Sequence, residues 1–292
     1  MAQIIQGFAE IADRYDAAFV DLWGCMHNGL RAFPEAVAAM TAYRERGGKV
    51  ILVTNAPRPR ASVEAQIERL GIPRESWDAI ATSGDAGRVA LFQGAVGNLI
   101  WFMGEERDRV FLEPPRIVQN PVPITEVPLD EAEGIVCCGP FDPFAHPDVN
   151  RPGFELAIAK GLRLLCANPD LVVDRGESRE WCAGALARLY EEMGGESLYF
   201  GKPHAPIYDL ARRRLSQIGL MPPDDKIICV GDGILTDIAG AVGEGLDSLM
   251  ITGGLAAAET RTTPGGQPDQ GALDAYLEVE RLKPTYAIGF LR

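Results

Sequence analysis

One pattern constrains the fold more than any other: a short apolar run that ends on a polar group or a glycine, repeated along the chain. It appears in AAFVDLW (17–23), KVILVTN (49–55), DAIATS (78–83), DKIICVGDG (225–233) and DSLMITGG (247–254). Apolar runs of this length without in/out alternation are strands buried on both faces, and such strands belong to parallel sheets covered by helices. The intervening segments carry helical grammar. Pro34 suits the first turn of a helix to about Arg46, with Val37, Met40 and Tyr43 on one face and Gly47-Gly48 at its end. Further helices are predicted from about Ser62 to Leu70, near 85–93, within 203–220, and from about Ala272 to Arg281. Ile4, Ile5, Phe8, Ile11 and Ala12 stand at helical spacing and predict one more helix over 4–12. Strands alternating with helices imply an α/β fold, a parallel sheet with right-handed crossovers.

The stretch 86–197 has strands of its own (NLIWFMG, GIVCCGP, LRLLCANPD) and helices of its own (FELAIAKG, REWCAGALARLYEEM). It also holds EPPRIVQNPVPITEVP, whose prolines suit a loop or an edge segment. Its length suits an inserted second domain, which divides the chain into a core of 1–85 plus 198–292 and an insert of 86–197.

Composition removes several function classes. The formal net charge of −13 disfavours nucleic acid and anionic membrane as partners, and no apolar run approaches the ~20 residues that span a bilayer. The N-terminal MAQIIQGFAEIADRYD lacks a basic region followed by an apolar one, which reads as cytoplasmic. The six cysteines, at 25, 137, 138, 166, 182 and 229, show no CxxC spacing and read as small core residues. With three histidines and no G-x-S-x-G, neither a serine hydrolase nor a His-rich metal site has much to build on. No GxxxxGK[ST] occurs, so nucleoside-triphosphate hydrolysis by that route is disfavoured. A homo-oligomer is compatible with the sequence, which does not set the oligomeric state.

The strand ends carry the chemistry. Asp21 follows AAFV, Thr54-Asn55 follows VILV, Lys202 follows LYFG, and Asp232 and Asp237 lie in VGDGILTD. In a parallel sheet all carboxyl ends lie on one edge, so these groups converge. Together they offer a carboxylate nucleophile, a hydroxyl and amide for oxyanions, a point cation, and carboxylates for a divalent metal: the inventory of phosphoryl transfer.

The ordered set of Asp21, Thr54, Lys202 in GKP, and GDGILTD resembles the four motifs of the haloacid dehalogenase (HAD) superfamily. VTNAPRP, the long insert and ANPD at 167–170 resemble its NagD-like class IIA branch. The resemblance implies a Rossmann-like core with an α/β cap over the site. It implies a phosphatase acting on a small phosphorylated metabolite, such as a sugar phosphate, with Asp21 attacking phosphorus to form an aspartyl-phosphate. Thr54 and the backbone near Asn55 would hold phosphate oxygens, and Lys202 would neutralise charge. Mg²⁺ would be bound by Asp21, the carbonyl of Trp23 and Asp232, with Asp237 as a ligand or as support to the ligands; oxygen donors suit that ion.

The chain departs from the family at Trp23. The family's phosphatases have a second Asp there, which protonates the leaving alcohol and later activates water, and indole cannot transfer that proton. General acid/base assistance is typically worth about 10²- to 10⁴-fold. The alternative is therefore a catalytically weakened member that binds a phosphorylated ligand or a protein partner. A third reading is carbon–halogen or carbon–phosphorus cleavage on the same nucleophile. His27 is a candidate substitute acid, set against a structural or cap-facing role. Asp170 faces the substrate entrance or simply makes an Asn-Pro-Asp turn. Arg58 and Arg60 meet an anionic substrate or stay in solvent, and His204 reads as a helix-entry residue.

Overall fold

A computed structural model describes residues 2–176 and 178–292 of the chain. Its first part holds β1 (Gln3–Ile4), β2 (Ala17–Val20), β3 (Lys49–Thr54) and β4 (Ala79–Thr82). A middle part follows with β5 (Leu99–Met103), β6 (Thr125–Glu126), β7 (Gly134–Cys137), β8 (Arg163–Cys166), β9 (Val172–Arg175), β10 (Ser178–Trp181) and β11 (Glu196–Tyr199). The last part holds β12 (Ile227–Gly231), β13 (Asp247–Ile251) and β14 (Tyr286–Ile288). Two parallel sheets result. One has seven strands in the order β1-β14-β13-β12-β2-β3-β4, and the other has five in the order β11-β8-β7-β5-β6. The expected boundary at 197 falls inside β11.

The seven-stranded sheet is a middle layer between helices. Along β3, Val50 and Leu52 face one cluster, with α1 (Pro34–Glu45) and α2 (Arg60–Leu70) supplying Met40, Tyr43, Val63 and Ile67. Ile51 and Val53 face the other, against Ile207, Tyr208 and Ala211. Successive strand side chains point to opposite faces, so burial on both faces demands the continuous apolar runs seen in the sequence. α3 (Ser83–Leu91), begun by Thr82 whose Oγ1 accepts from Asp85 N at 2.8 Å, leads from this sheet to the second, where its Leu91 packs with Ile100 and Phe102. The other face of the second sheet carries α4 (Arg151–Ala159) and α5 (Ala183–Glu192), with Phe154, Leu186 and Tyr190 in its core. All six cysteines are buried thiols, and no helix among the described residues is long and apolar enough to cross a membrane.

Two expected helices are corrected. Residues 4–12 form β1 and two short 3₁₀ turns, because the chain termini claim this backbone: Ile5 N donates to Ala287 O at 3.0 Å and Phe8 N to Arg292 O at 2.7 Å. The apolar spacing is used all the same, since Ile5, Phe8, Ile11 and Ala12 enter one core cluster. The helix expected over 179–193 begins at Ala183; Arg179–Trp181 lie in β10, paired antiparallel with β9. Cross-strand pairs Arg175–Glu180 (2.8 Å) and Arg179–Asp174 (2.7 Å) hold that ribbon. The Pro-rich stretch is largely loop and ends in the edge strand β6.

The two-faced burial of β3 is testable. Ile51→Ala and Leu52→Ala should each destabilise the fold by about 2–5 kcal/mol, although the two side chains point to opposite layers. Denaturant unfolding of each variant checks it; a loss confined to one would mean the sheet is covered on one face only.

Candidate active site

The order of the seven-stranded sheet reverses between β2 and β12, since β2, β3, β4 run outward on one side and β12, β13, β14 on the other. Such a switch point leaves a crevice at the carboxyl ends of the strands. Asp21 is the first residue beyond β2, its N–H donating to Val230 O at 2.8 Å, and Asp232 is the first beyond β12. Thr54 ends β3. The second sheet lies across this crevice, and Asp21, Trp23 and Asp170 line the two cavities between the sheets.

Lys202 ties the floor of the crevice together. Its Nζ donates to Asp21 Oδ1 at 2.6 Å and to Asp237 Oδ1 at 2.7 Å, and all three residues are buried. Burial disfavours the ammonium, but the charges of Asp21, Asp237 and Asp170 outweigh it and hold Lys202 well above its ordinary range. Burial likewise holds the Asp21 carboxyl above its usual value against the pull of Lys202. Asp237 is turned to Lys202, and its other oxygen accepts from Gly233 N at 3.2 Å.

Asp232 stands in a cradle of backbone. Its Oδ2 accepts from Leu255 N at 3.1 Å. A Cβ at Gly24 or at Gly254 would lie 2.0 Å from that oxygen, and Gly24 has φ +72°, so only glycine fits at 24. Burial, reinforced by the charges of Asp21 and Asp237, raises the Asp232 carboxyl well above its usual value. One donor atom from each of Asp21, Cys25 and Asp232 lies within 4.8 Å of the others. Burial pushes the Cys25 thiol up, which keeps it neutral and leaves the two carboxylates as the hard donors. Three buried carboxyls beside one ammonium can all ionise only if further positive charge joins them, and buried charges are paired or coordinate metals.

Asn55 is a strut between segments. Its Oδ1 accepts from Lys202 N at 2.7 Å, and its Nδ2 donates to Lys202 O at 3.1 Å and to Asp170 Oδ1 at 2.8 Å. Its side chain is thereby consumed, while Thr54 lines the cavity with Asp21. Arg58 also lines that cavity, half-buried, with Nη2 on Gln66 Oε1 at 2.7 Å. Arg60 stays exposed beside Glu64, and His204 takes the N-cap position of the helix Ala205–Gln217, stacked on Tyr199.

Trp23 projects between the two cavities and lines both. The edge-to-face ring of His27, at 5.0 Å, and the guanidinium of Arg175, 5.5 Å from its centroid, hold the indole. His27 is buried, and its Nδ1 accepts from Gly29 N at 2.9 Å, which places its proton on Nε2. Burial, with the charges of Arg175 and Arg58, lowers its pKa to about 4. It lines neither cavity, so the geometry gives it the structural role.

A family model described as haloacid dehalogenase-like hydrolase matches residues 18–114, and a second, HAD-hydrolase-like, matches 199–278. A crystal structure of a hydrolase of the haloacid dehalogenase-like family from Brucella suis 1330 is 37% identical, with a TM-score of 0.85 over 99% of this chain and 100% of that one. The chain belongs to the haloacid dehalogenase-like family. A possible sugar phosphatase of the HAD superfamily from Cytophaga hutchinsonii ATCC 33406 is 20% identical, with a TM-score of 0.76 over 99% of this chain and 98% of that one. The 5'-nucleotidase YutF of Bacillus subtilis (strain 168) is 24% identical over 273 residues, covering 90% of this chain and 97% of that protein.

In this HAD-like chain the strand-end residues singled out from sequence gather within one crevice. Sequence reasoning passed over the nearness of Cys25 to the two carboxylates and the placing of Arg175 and Trp181 on a ribbon that walls the cavity. VVDR and SREW show no apolar alternation, so the sequence carried no strand signal for that ribbon beyond Val172, Val173 and Trp181.

The depressed His27 pKa fixes a pH dependence. The unfolded chain binds the proton near pH 6.5 and the folded chain only near 4, so the stabilisation is complete above 6.5 and is lost as pH falls through that window. Relative to His27→Gln, the wild type should lose roughly 3 kcal/mol of unfolding free energy between pH 7 and 4. Parallel pH profiles for the two proteins would sink this account.

Proposed function

We propose that this chain is a divalent-metal-dependent phosphatase, with Mg²⁺ as the ion, acting on a small phosphorylated metabolite through an aspartyl-phosphate at Asp21. The observation that carries it is the Lys202 ammonium held between Asp21 and Asp237 at the switch point, with Asp232 beside it and Thr54 on the same cavity wall. The five-stranded sheet with its helices and the β9–β10 ribbon, through Tyr199 at the end of β11, acts as the cap. The printed activities of two relatives, 5'-nucleotidase and possible sugar phosphatase, belong to the same reaction class and support the reading.

The residues suit a hard cation. Asp21, Asp232 and the backbone carbonyl of Trp23 supply oxygen donors, which Mg²⁺ prefers, and the surplus buried negative charge gives it an electrostatic reason to bind. Asp237, turned to Lys202, supports that set. A bound cation supplies charge neutralisation at the phosphoryl oxygens and holds Asp21 and Asp232 ionised. Asp21 offers the attacking oxygen, Lys202 fixes its direction and offsets charge, and Thr54 donates its hydroxyl to a phosphoryl oxygen. Phosphate release from a panel of sugar phosphates, nucleoside monophosphates and aryl phosphates should depend on Mg²⁺. Asp21→Asn should lower it by at least about 10³-fold. Release from no ester, or an unimpaired Asp21→Asn, defeats the proposal.

Trp23 favours a second reading, a weakened member that binds a phosphorylated ligand. The two part on an aryl and an alkyl phosphate. Aryl esters need little acid assistance, so a working nucleophile turns them over even without a proton donor. If the chain has lost its donor altogether, Trp23→Asp raises alkyl turnover by about 10²- to 10⁴-fold. Inertness of both proteins toward both esters supports the binding role.

A further inference from the structure

The cavities hold a carboxylate suited to the work that position 23 cannot do. Apart from Asp21, Asp170 is the carboxylate that lines both cavities flanking Trp23 among the described residues. It stands on the turn after β8 in the second sheet, so it belongs to the wall opposite the strand end that presents Asp21. In-line displacement sends the leaving group away from the nucleophile, toward that wall.

Its bonding separates it from its neighbours. Glu105 pairs with Arg107, Glu180 with Arg175 and Asp174 with Arg179, and Asp21 and Asp237 share Lys202. Asp170, Asp108 and Asp232 have no cation within ion-pair distance among the described residues, but Asp108 and Asp232 each accept a backbone N–H, from Glu105 and Leu255, whereas Asp170 is held through a side chain. One oxygen, Oδ1, accepts from Asn55 Nδ2 at 2.8 Å; the other has no donor among the described residues and is not sealed from solvent. Asn55 is itself locked to the backbone of Lys202, whose Nζ holds Asp21, so the carboxyl is positioned relative to Asp21 through three short links.

We propose that Asp170 is the general acid and base of this site, protonating the leaving oxygen in place of the side chain that Trp23 does not provide. As an Asp21 oxygen bonds to phosphorus and the ester P–O bond breaks, the Asp170 carboxyl gives its proton to the departing alkoxide, yielding alcohol, aspartyl-phosphate and an Asp170 carboxylate. That carboxylate then takes a proton from water as the water oxygen bonds to phosphorus. The Asp21–phosphorus bond breaks, and free phosphate, ionised Asp21 and protonated Asp170 result. Burial raises the Asp170 carboxyl, against the charge of Lys202 and the Asn55 hydrogen bond and with the charge of Asp237, which favours the protonated acid. Asp21 from the strand end and Cys182 from the start of α5 face the same carboxyl.

The inference rests on the phosphatase reading, and leaving-group dependence separates the two. Asp170→Asn keeps an acceptor for Asn55 and removes the proton. In the first turnover it should leave release of 4-nitrophenolate from 4-nitrophenyl phosphate within about threefold of wild type and lower alcohol release from an alkyl phosphate by about 10²-fold or more, while slower water attack on the aspartyl-phosphate lowers later turnovers of both esters. Asp170→Glu should recover part of the alkyl activity, which a residue that only positions its neighbours would not require, and thermal melting checks that each variant folds. Equal first-turnover losses on both esters, no first-turnover loss on either, or a wild type active on the aryl ester alone would each overturn the assignment while leaving the phosphatase reading intact. A wild type inert toward both esters removes both.

Discussion

Burying Asp21, Asp232 and Asp237 beside a single ammonium costs free energy, because each charge gives up its hydration. The chain meets that cost with geometry. Lys202 sits between two of the carboxylates at hydrogen-bond distance, and the third receives a backbone N–H from Leu255. Removing one partner of a buried pair leaves an uncompensated charge and costs about 3–5 kcal/mol, so these residues fix one another's positions. The same arrangement links parts of the chain 181 residues apart, from the end of β2 to the loop after β11. A site assembled this way is stiff before any ligand arrives, which is what charge stabilisation in phosphoryl transfer needs.

Stiffness at the floor explains the behaviour of the loop after β2. Gly24 gives the chain a left-handed turn under Asp232, and the backbone closes on itself through Gly24 N to His27 O at 3.0 Å. The peptide path past residue 23 is therefore set by the turn and not by the side chain at 23. A Trp is accommodated there with its ring packed on His27 and near the guanidinium of Arg175. Positioning of the backbone and provision of a proton are separable properties of one residue, and this chain keeps the first without the second.

The parallel core was legible because its strands are buried on both faces, and their continuous apolar runs ending in Asp21, Thr54 and Asp232 identify both the sheet and its active edge. The helix expected over 4–12 was not, since its spacing of apolar residues is satisfied equally by a short edge strand and turns held by the C-terminal residues, a contact of long sequence separation. The ribbon of β9 and β10 was hidden for a related reason. Arg175, Arg179, Asp174 and Glu180 read as a solvated charged stretch until cross-strand pairing shows them matched. Asp170 was ambiguous in sequence because an Asn-Pro-Asp turn needs no ligand to account for it, and the Asn55 contact is what ties its carboxyl to the Lys202 segment.

That contact changes what closing the cavity means. A donor on the loop after β2 keeps its place beside the nucleophile whatever the second sheet does. A donor on the β8 turn is in place only when the second sheet is seated on the first. Asn55 joins the two, and Gly176 N donating to Asn28 O at 3.2 Å seats the tip of the β9–β10 ribbon on the loop that carries Trp23. With Asp170 as donor, proton transfer is conditional on that seating, whereas attack by Asp21 is not. Under that proposal an activated ester needs Asp21 alone to form the aspartyl-phosphate, whereas an alkyl ester also needs the contact that holds Asp170 in place, which makes the sheet–sheet contact part of substrate discrimination.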